Sequence, residues 1–259
     1  MSFFGRMLAS VGIGAAKLDT VLEKSSYCPG EEVRGVVRIY GGSVEQQVDA
    51  LLLSVMTTYL REVNDSKLQQ TAELSRVNVS RPQVVKPNEN KEIPFSFQLP
   101  LQTPLTLGRT PVWIKTAADI QSAVDPTDED RIHVVPTLHQ KTVLDAIDYL
   151  GFRLRETESI YAPRLGGSLP FVQELEWVPV SGRYRGRLDE LELVFLRNQP
   201  GGLDLLLQVD RRATSMFGLF AEAMDMDETF LRVSLSANDL NGGYEHVAGI
   251  LDNAIARYS

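Results

Sequence analysis

The 259-residue chain has one cysteine, three histidines and no long apolar run, and each shortage removes a class of protein. A lone cysteine, Cys28, cannot form an intramolecular disulfide, which points to a reducing compartment and a cytoplasmic location. Beside Pro29-Gly30 it reads as a small apolar filler, not a reactive thiol. His133, His139 and His246 show no metal-ligand spacing, no His-Glu-x-x-His and no cysteine partner. A Gly-x-Ser-x-Gly elbow is also missing, so acyl transfer lacks its usual signature. Gly12-Ile13-Gly14 begins a dinucleotide fingerprint, but Lys17 stands where the third glycine belongs and a strand follows. No stretch approaches the roughly 20 apolar residues of a membrane-spanning helix. Basic excess is absent too. The formal charge is -8, whereas neutralising phosphates needs a basic surface, so nucleic acid is not a partner.

The negative charge is uneven. Residues 1–137 carry 14 Lys and Arg against 16 Asp and Glu; residues 138–259 carry 12 against 18. Two acidic clusters, Asp125/Asp128/Glu129/Asp130 and Asp225/Asp227/Glu228, offer oxygen ligands but lack the glycine and terminal glutamate of a calcium loop. They read as solvated acidic loops, and no metal or cofactor is assigned.

What the chain does contain is strand after strand. Val33, Gly35, Val37 and Ile39 alternate with Arg34, Val36, Arg38 and Tyr40 after the Pro29-Gly30 turn, which two short strands flank. Ile93, Phe95, Phe97 and Leu99 alternate with Pro94, Ser96 and Gln98, and Pro94 belongs on an edge or at a strand entry because it cannot donate to a ladder. Residues 51–59, 72–79, 111–117 and 131–135 add further strands at the spacing of an antiparallel sandwich.

Residues 138–150 change to a helical period on Leu138, Val143, Leu144, Ile147 and Leu150, with Gly151 as the stop. The expected division is a sandwich over 1–136, a connecting helix over 137–150, and a second sandwich with a C-terminal helix over 151–259. In the second, Leu191–Phe195 and Leu203–Val209 form a hairpin across Pro200-Gly201-Gly202, with Leu203, Leu205, Leu207 and Val209 inward and Asp204, Leu206, Gln208 and Asp210 outward. Tyr244, Val247, Ala248, Leu251, Ile255 and Tyr258 mark an amphipathic terminal helix.

Three surfaces are candidates for binding. Arg183, Arg185 and Arg187 would share one face of a strand, suited to a carboxylate or phosphate. The favoured reading pairs them with Asp189, Glu190 or Glu192 on a neighbouring strand, and a third makes them an ion network between domains. A short helix carrying Phe217, Phe220 and Met224 has almost no polar face; buried, it is core, and exposed, it is an adaptable partner surface. At the N-terminus, Phe3, Phe4, Met7, Leu8 and Val11 recur at helical spacing, which suits packing on its own domain or a weak peripheral contact with a membrane.

The Pro29-Gly30-Glu31-Glu32-Val33-Arg34-Gly35 run and the Pro94-Phe95-Ser96-Phe97-Gln98-Leu99-Pro100 strand resemble the N-terminal domain of an arrestin-type protein. Together with Gly42–Gln47, Ala123–Pro126, Leu150–Leu154 and Gly186–Glu192, they resemble the bacterial sporulation-control protein M family across nearly the whole chain. The resemblance implies two arrestin-like β-sandwich domains in a cytoplasmic regulator or scaffold with no assigned chemistry, acting through protein partners. The chain lacks a Pro-Pro-x-Tyr motif and a dense basic patch, so receptor and phosphate recognition do not carry over. A metal- or ligand-binding hydrolase on a β-sandwich is the alternative.

Overall fold

The computed structural model describes residues 15–64, 66–121, 124–199, 201–210 and 230–257. The chain divides into two compact units. One comprises residues 1–57, 72–103 and 111–134, the other residues 58–71, 104–110 and 135–259.

In the first unit β1 (Lys17–Leu22) pairs antiparallel with β3 (Glu32–Tyr40), and β3 pairs on its other side with β7 (Asn90–Gln98). A second layer joins the start of β4 (Gln46–Val63) to β6 (Gln83–Val85) and β8 (Val112–Ile120), and β8 to β9 (Thr127–Val134). Alternation decides what is buried. Val33, Val37 and Ile39 of β3 and Phe95 and Phe97 of β7 are inside, while Arg34, Tyr40, Ser96 and Gln98 are outside. Pro94 falls in the last strand of the three-stranded sheet, where its missing N–H breaks no ladder.

β1 and β3, the strands on either side of Pro29-Gly30, pair with each other. Between them the chain inserts β2 (Ser26–Tyr27), which runs parallel to β9 with Tyr27 opposite Val134. Tyr27, 1% exposed, sends its ring into the core. One expectation needs correction: Asp128, Glu129 and Asp130 do not fill a loop. They lie in β9 opposite Thr116, Lys115 and Ile114, because the inward alternation of Ile132 and Val134 continues backward along the strand.

Gly35 marks the tightest approach in this unit. A Cβ there would lie 2.4 Å from the Val21 carbonyl oxygen and 2.7 Å from the Phe95 ring, so no larger residue fits without moving β1 or β7.

The second unit is a sheet in the order β14 (Phe230–Ser236), β13 (Gly202–Asp210), β12 (Glu190–Gln199), β11 (Phe171–Pro179), β10 (Phe152–Tyr161), each antiparallel to the next. The end of β4 lies parallel to β10 at Leu60 and Ile160. The remaining strand, β5 (Ser66–Asn78), pairs with β4. One face is covered by α1 (Leu138–Tyr149) and α3 (Tyr244–Ile255), with the short α2 (Ala237–Asn241) beside them. Val143, Ile147, Val247, Leu251 and Ile255 from the helices meet Leu175, Leu191, Leu193, Leu205 and Leu207 from the strands. Thr137 caps α1 in a reciprocal box with Gln140, and Gly151 follows at φ +93°, which makes the predicted stop a conformational one.

The opposite face is buried as well at its centre. Ile160, Ala162, Val172, Val194 and Leu206 form a smaller core there, and Gln208 is 3% exposed. Leu206 and Gln208 therefore do not face solvent as expected, since β13 sits between two neighbours and is covered on both sides.

Gly35→Ala is expected to destabilise the first unit by about 1–3 kcal/mol in urea unfolding through overpacking. Gly249, exposed in α3 with open space around its Cβ position, should respond the other way. Gly249→Ala is expected to stabilise the second unit by roughly 0.5–1 kcal/mol.

Candidate functional site

Between β11 and β12 the chain makes a turn, not the strand expected for Arg183, Arg185 and Arg187. Gly182 and Gly186 adopt φ of +71° and +75°, and the Tyr184 carbonyl accepts hydrogen bonds from Arg187 N at 3.0 Å and Leu188 N at 3.1 Å. The three arginines consequently do not share a face. Tyr184 anchors the turn: it is 1% exposed and packs against Phe152 with ring centroids 5.4 Å apart. Its hydroxyl donates to Asp252 Oδ1 at 2.7 Å and accepts from Arg183 Nη2 at 2.7 Å. Burial, reinforced by the Asp252 carboxylate, pushes the Tyr184 phenol up to about 12, so it remains a donor. Arg183 completes the node with an ion pair to Asp252 at 2.7 Å.

Both ends of that pair lie in the second unit, so it is not a contact between units. One partner considered for the triplet, Glu190, is engaged elsewhere. Glu190 is bonded to Arg155 at 2.7 Å, and Arg155 also pairs with Glu176. Arg185 and Arg187 are exposed, with no carboxylate within ion-pairing distance among the described residues. They share that state with Arg164, Arg232 and Arg257, which are also exposed and have no ion pair among the described residues.

A second feature is an acidic band on the sheet face away from the helices. Glu158 stands opposite Glu174, and Glu176 opposite Glu192. Glu192 in turn faces Gln208, whose Oε1 is buried without a partner. Glu190 and Glu192 are 4% and 3% exposed. Glu174 is pushed up to about 7, chiefly by burial and further by the charges of Glu158 and Glu190; the Glu192 hydrogen bond and Lys67 act the other way. Lys67 reaches Glu158 at 3.7 Å. Among the described residues no group of three or more His, Cys, Asp or Glu is arranged to hold a metal ion. The band was not singled out from sequence, although Gln173-Glu174-Leu175-Glu176 and Glu190-Leu191-Glu192 carry its signal: glutamates at period two within strands.

The other sequence candidates are dispersed. His133 is exposed on β9 and His139 lies on α1, while His246 of α3 sits 3.4 Å from Asp239. The Cys28 thiol is pushed up by burial. Asp125 accepts a hydrogen bond from Ile120 N at 3.0 Å. Phe217, Phe220 and Met224, the acidic residues Asp225, Asp227 and Glu228, and the apolar N-terminal turn lie outside the described residues. Among the described residues no helix is long and apolar enough to cross a membrane.

A strand-dominated chain in two units, with a connecting and a C-terminal helix, is an arrestin-like mainly β protein. Comparison with known proteins narrows that class. The family model Spo0M, described as SpoOM protein, matches residues 4–213. Sporulation-control protein spo0M of Bacillus subtilis (strain 168) is 41% identical over 259 residues, covering 100% of each chain. The crystal structure of Spo0M from Bacillus subtilis superposes with a TM-score of 0.90 at 40% identity, covering 95% of this chain and 100% of that one. The chain belongs to the Spo0M family.

Glu174 generates a pH prediction. Its folded-state pKa lies above the unfolded one, so its favourable contribution is full below about 4.5 and is lost as pH rises through about 7. Glu174→Gln should therefore melt higher than wild type at pH 8 and at nearly the same temperature at pH 4.5, measured by calorimetry across that range.

Proposed function

We propose that the chain is a non-enzymatic regulatory scaffold of the cytoplasm that binds protein partners and thereby modulates sporulation or a related bacterial stress process. The observation that carries this reading is the pair Arg185 and Arg187, exposed and without carboxylate partners among the described residues, on a turn pinned by Tyr184, Arg183 and Asp252. Such a turn presents two planar guanidinium groups on a rigid support, which suits the carboxylates of an acidic partner segment. Charge complementarity of that kind sets partner choice and encounter rate more than raw affinity. The edge strands β7 and β14 add backbone groups that an extended segment can pair with. The B. subtilis relative is named a sporulation-control protein, and the proposed process follows that name.

Affinity capture with crosslinking from the native bacterium tests the reading. Wild-type protein should recover a reproducible partner at low and moderate salt, and Arg185→Glu with Arg187→Glu should lose it while melting as wild type does. Recovery of no reproducible partner by the wild type would overturn it, as would recovery undiminished by the double charge reversal.

A further inference from the structure

β1 is the outer strand of its sheet, and its odd-numbered residues face β3 in the ladder, as the bond from Glu23 N to the Arg34 carbonyl at 3.0 Å continues. The backbone groups of Leu18, Thr20 and Leu22 consequently point away from β3. Thr20 finds its partner in the other layer: its N–H donates to Asp128 Oδ2 at 2.6 Å, and its hydroxyl lies 2.7 Å from that of Thr116. One carboxylate on β9 thus does for β1 what a neighbouring strand would do.

Asp128 is not alone. Asp130, two residues on and therefore on the same face of β9, is close enough to feel the charges of Asp128 and Asp19. Its Oδ2 is buried without a hydrogen-bond partner. Two carboxylates can share a hydrogen bond only when one carries a proton, since neither ionised group can donate. The charged groups around them are few. Asp19 of β1 is balanced from outside by Arg38 of β3 at 3.6 Å, and Arg38 is itself bonded to Glu92 of β7 at 3.0 Å. On β8 the residues opposite Asp128 and Asp130 are the neutral Thr116 and Ile114, while Lys115 lies opposite Glu129 on the alternate face. Among the described residues neither Asp128 nor Asp130 has an ion pair.

We propose that Asp128 and Asp130, with Asp19 beside them, form a proton-operated latch that holds strand β1 onto the first unit. With one proton shared, Asp130 donates to Asp128 and Asp128 accepts from Thr20, so β1 is closed. When the proton leaves, Asp128 and Asp130 repel each other, the Asp19 charge adds to that repulsion, and the contact between β1 and β9 weakens. Burial and the charges of Asp128 and Asp19 push Asp130 up to about 6, which places the transition just below neutral pH. Loosening β1 frees the edge of β3, the form of surface to which an extended segment can add a strand.

Amide hydrogen exchange on the full chain between pH 5 and 8, corrected for intrinsic rates, reads the latch directly. Protection of the Thr20 and Glu23 amides should fall about tenfold relative to amides of β4 and β8, corresponding to about one pK unit of coupling. Asp130→Asn, which keeps a donor for Asp128 and cannot ionise, should hold that protection constant across the range. A pH-independent protection of β1, or an equal fall in Asp130→Asn, would overturn the proposal. Carboxyl NMR titration of the wild type gives a test that needs no variant. A midpoint near 6 for Asp130 supports the latch, and one at the ordinary aspartate value contradicts it.

Discussion

Both units depend on how carboxylates are placed against covered sheet surface. A protein with a formal charge of -8 that buries most faces of its strands cannot put every acid in water. Those it covers must be paired, hydrogen-bonded or protonated, because an isolated ionised group in a poorly solvated site is too costly. All three solutions occur. Glu190 and Glu176 share Arg155, Asp128 takes the Thr20 amide, and Glu174 and Asp130 are pushed toward the neutral form.

This constraint accounts for where several of the positive charges are. Arg155 and Lys67 are drawn to the acidic band, Arg183 to Asp252 and Arg38 to Asp19 and Glu92. Arg185 and Arg187 are left over on a turn whose shape is set by a buried tyrosine and two left-handed glycines. Guanidinium groups held on such a turn suit the planar carboxylates of the proposed partner segment. Binding of that kind requires no catalytic residue, and it fits the regulatory role for which the family is named.

Much of the fold was legible because it is local. Alternation in Glu32–Tyr40 and Asn90–Gln98 reads directly as strands with one buried face, and Thr137 through Gly151 spells a helix with both its signals. What was not legible depends on distant contacts. Arg183-Tyr184-Arg185-Gly186-Arg187 has the period of a strand, yet the partner that fixes its turn, Asp252, is 69 residues from Arg183. Leu206 and Gln208 look outward by alternation and are buried by a second covering layer that no local pattern encodes. Asp128 and Asp130 look like loop acids until β8 pairs beside them and the Thr20 amide is found in front of them. The candidate site was therefore only partly visible: the arginines were named, their geometry was not, and the carboxylate clusters emerged from cross-strand register alone.

The most direct measurement of this account is the difference in proton binding between native and unfolded chain, from parallel potentiometric titrations between pH 4 and 8. With Glu174 near 7 and Asp130 near 6, the native chain should bind between about one and two more protons than the unfolded chain around pH 5.5, so stability falls as pH rises through that region. Equal proton binding by the two states there, or an excess on the unfolded side, would contradict the claim that covered carboxylates organise both units.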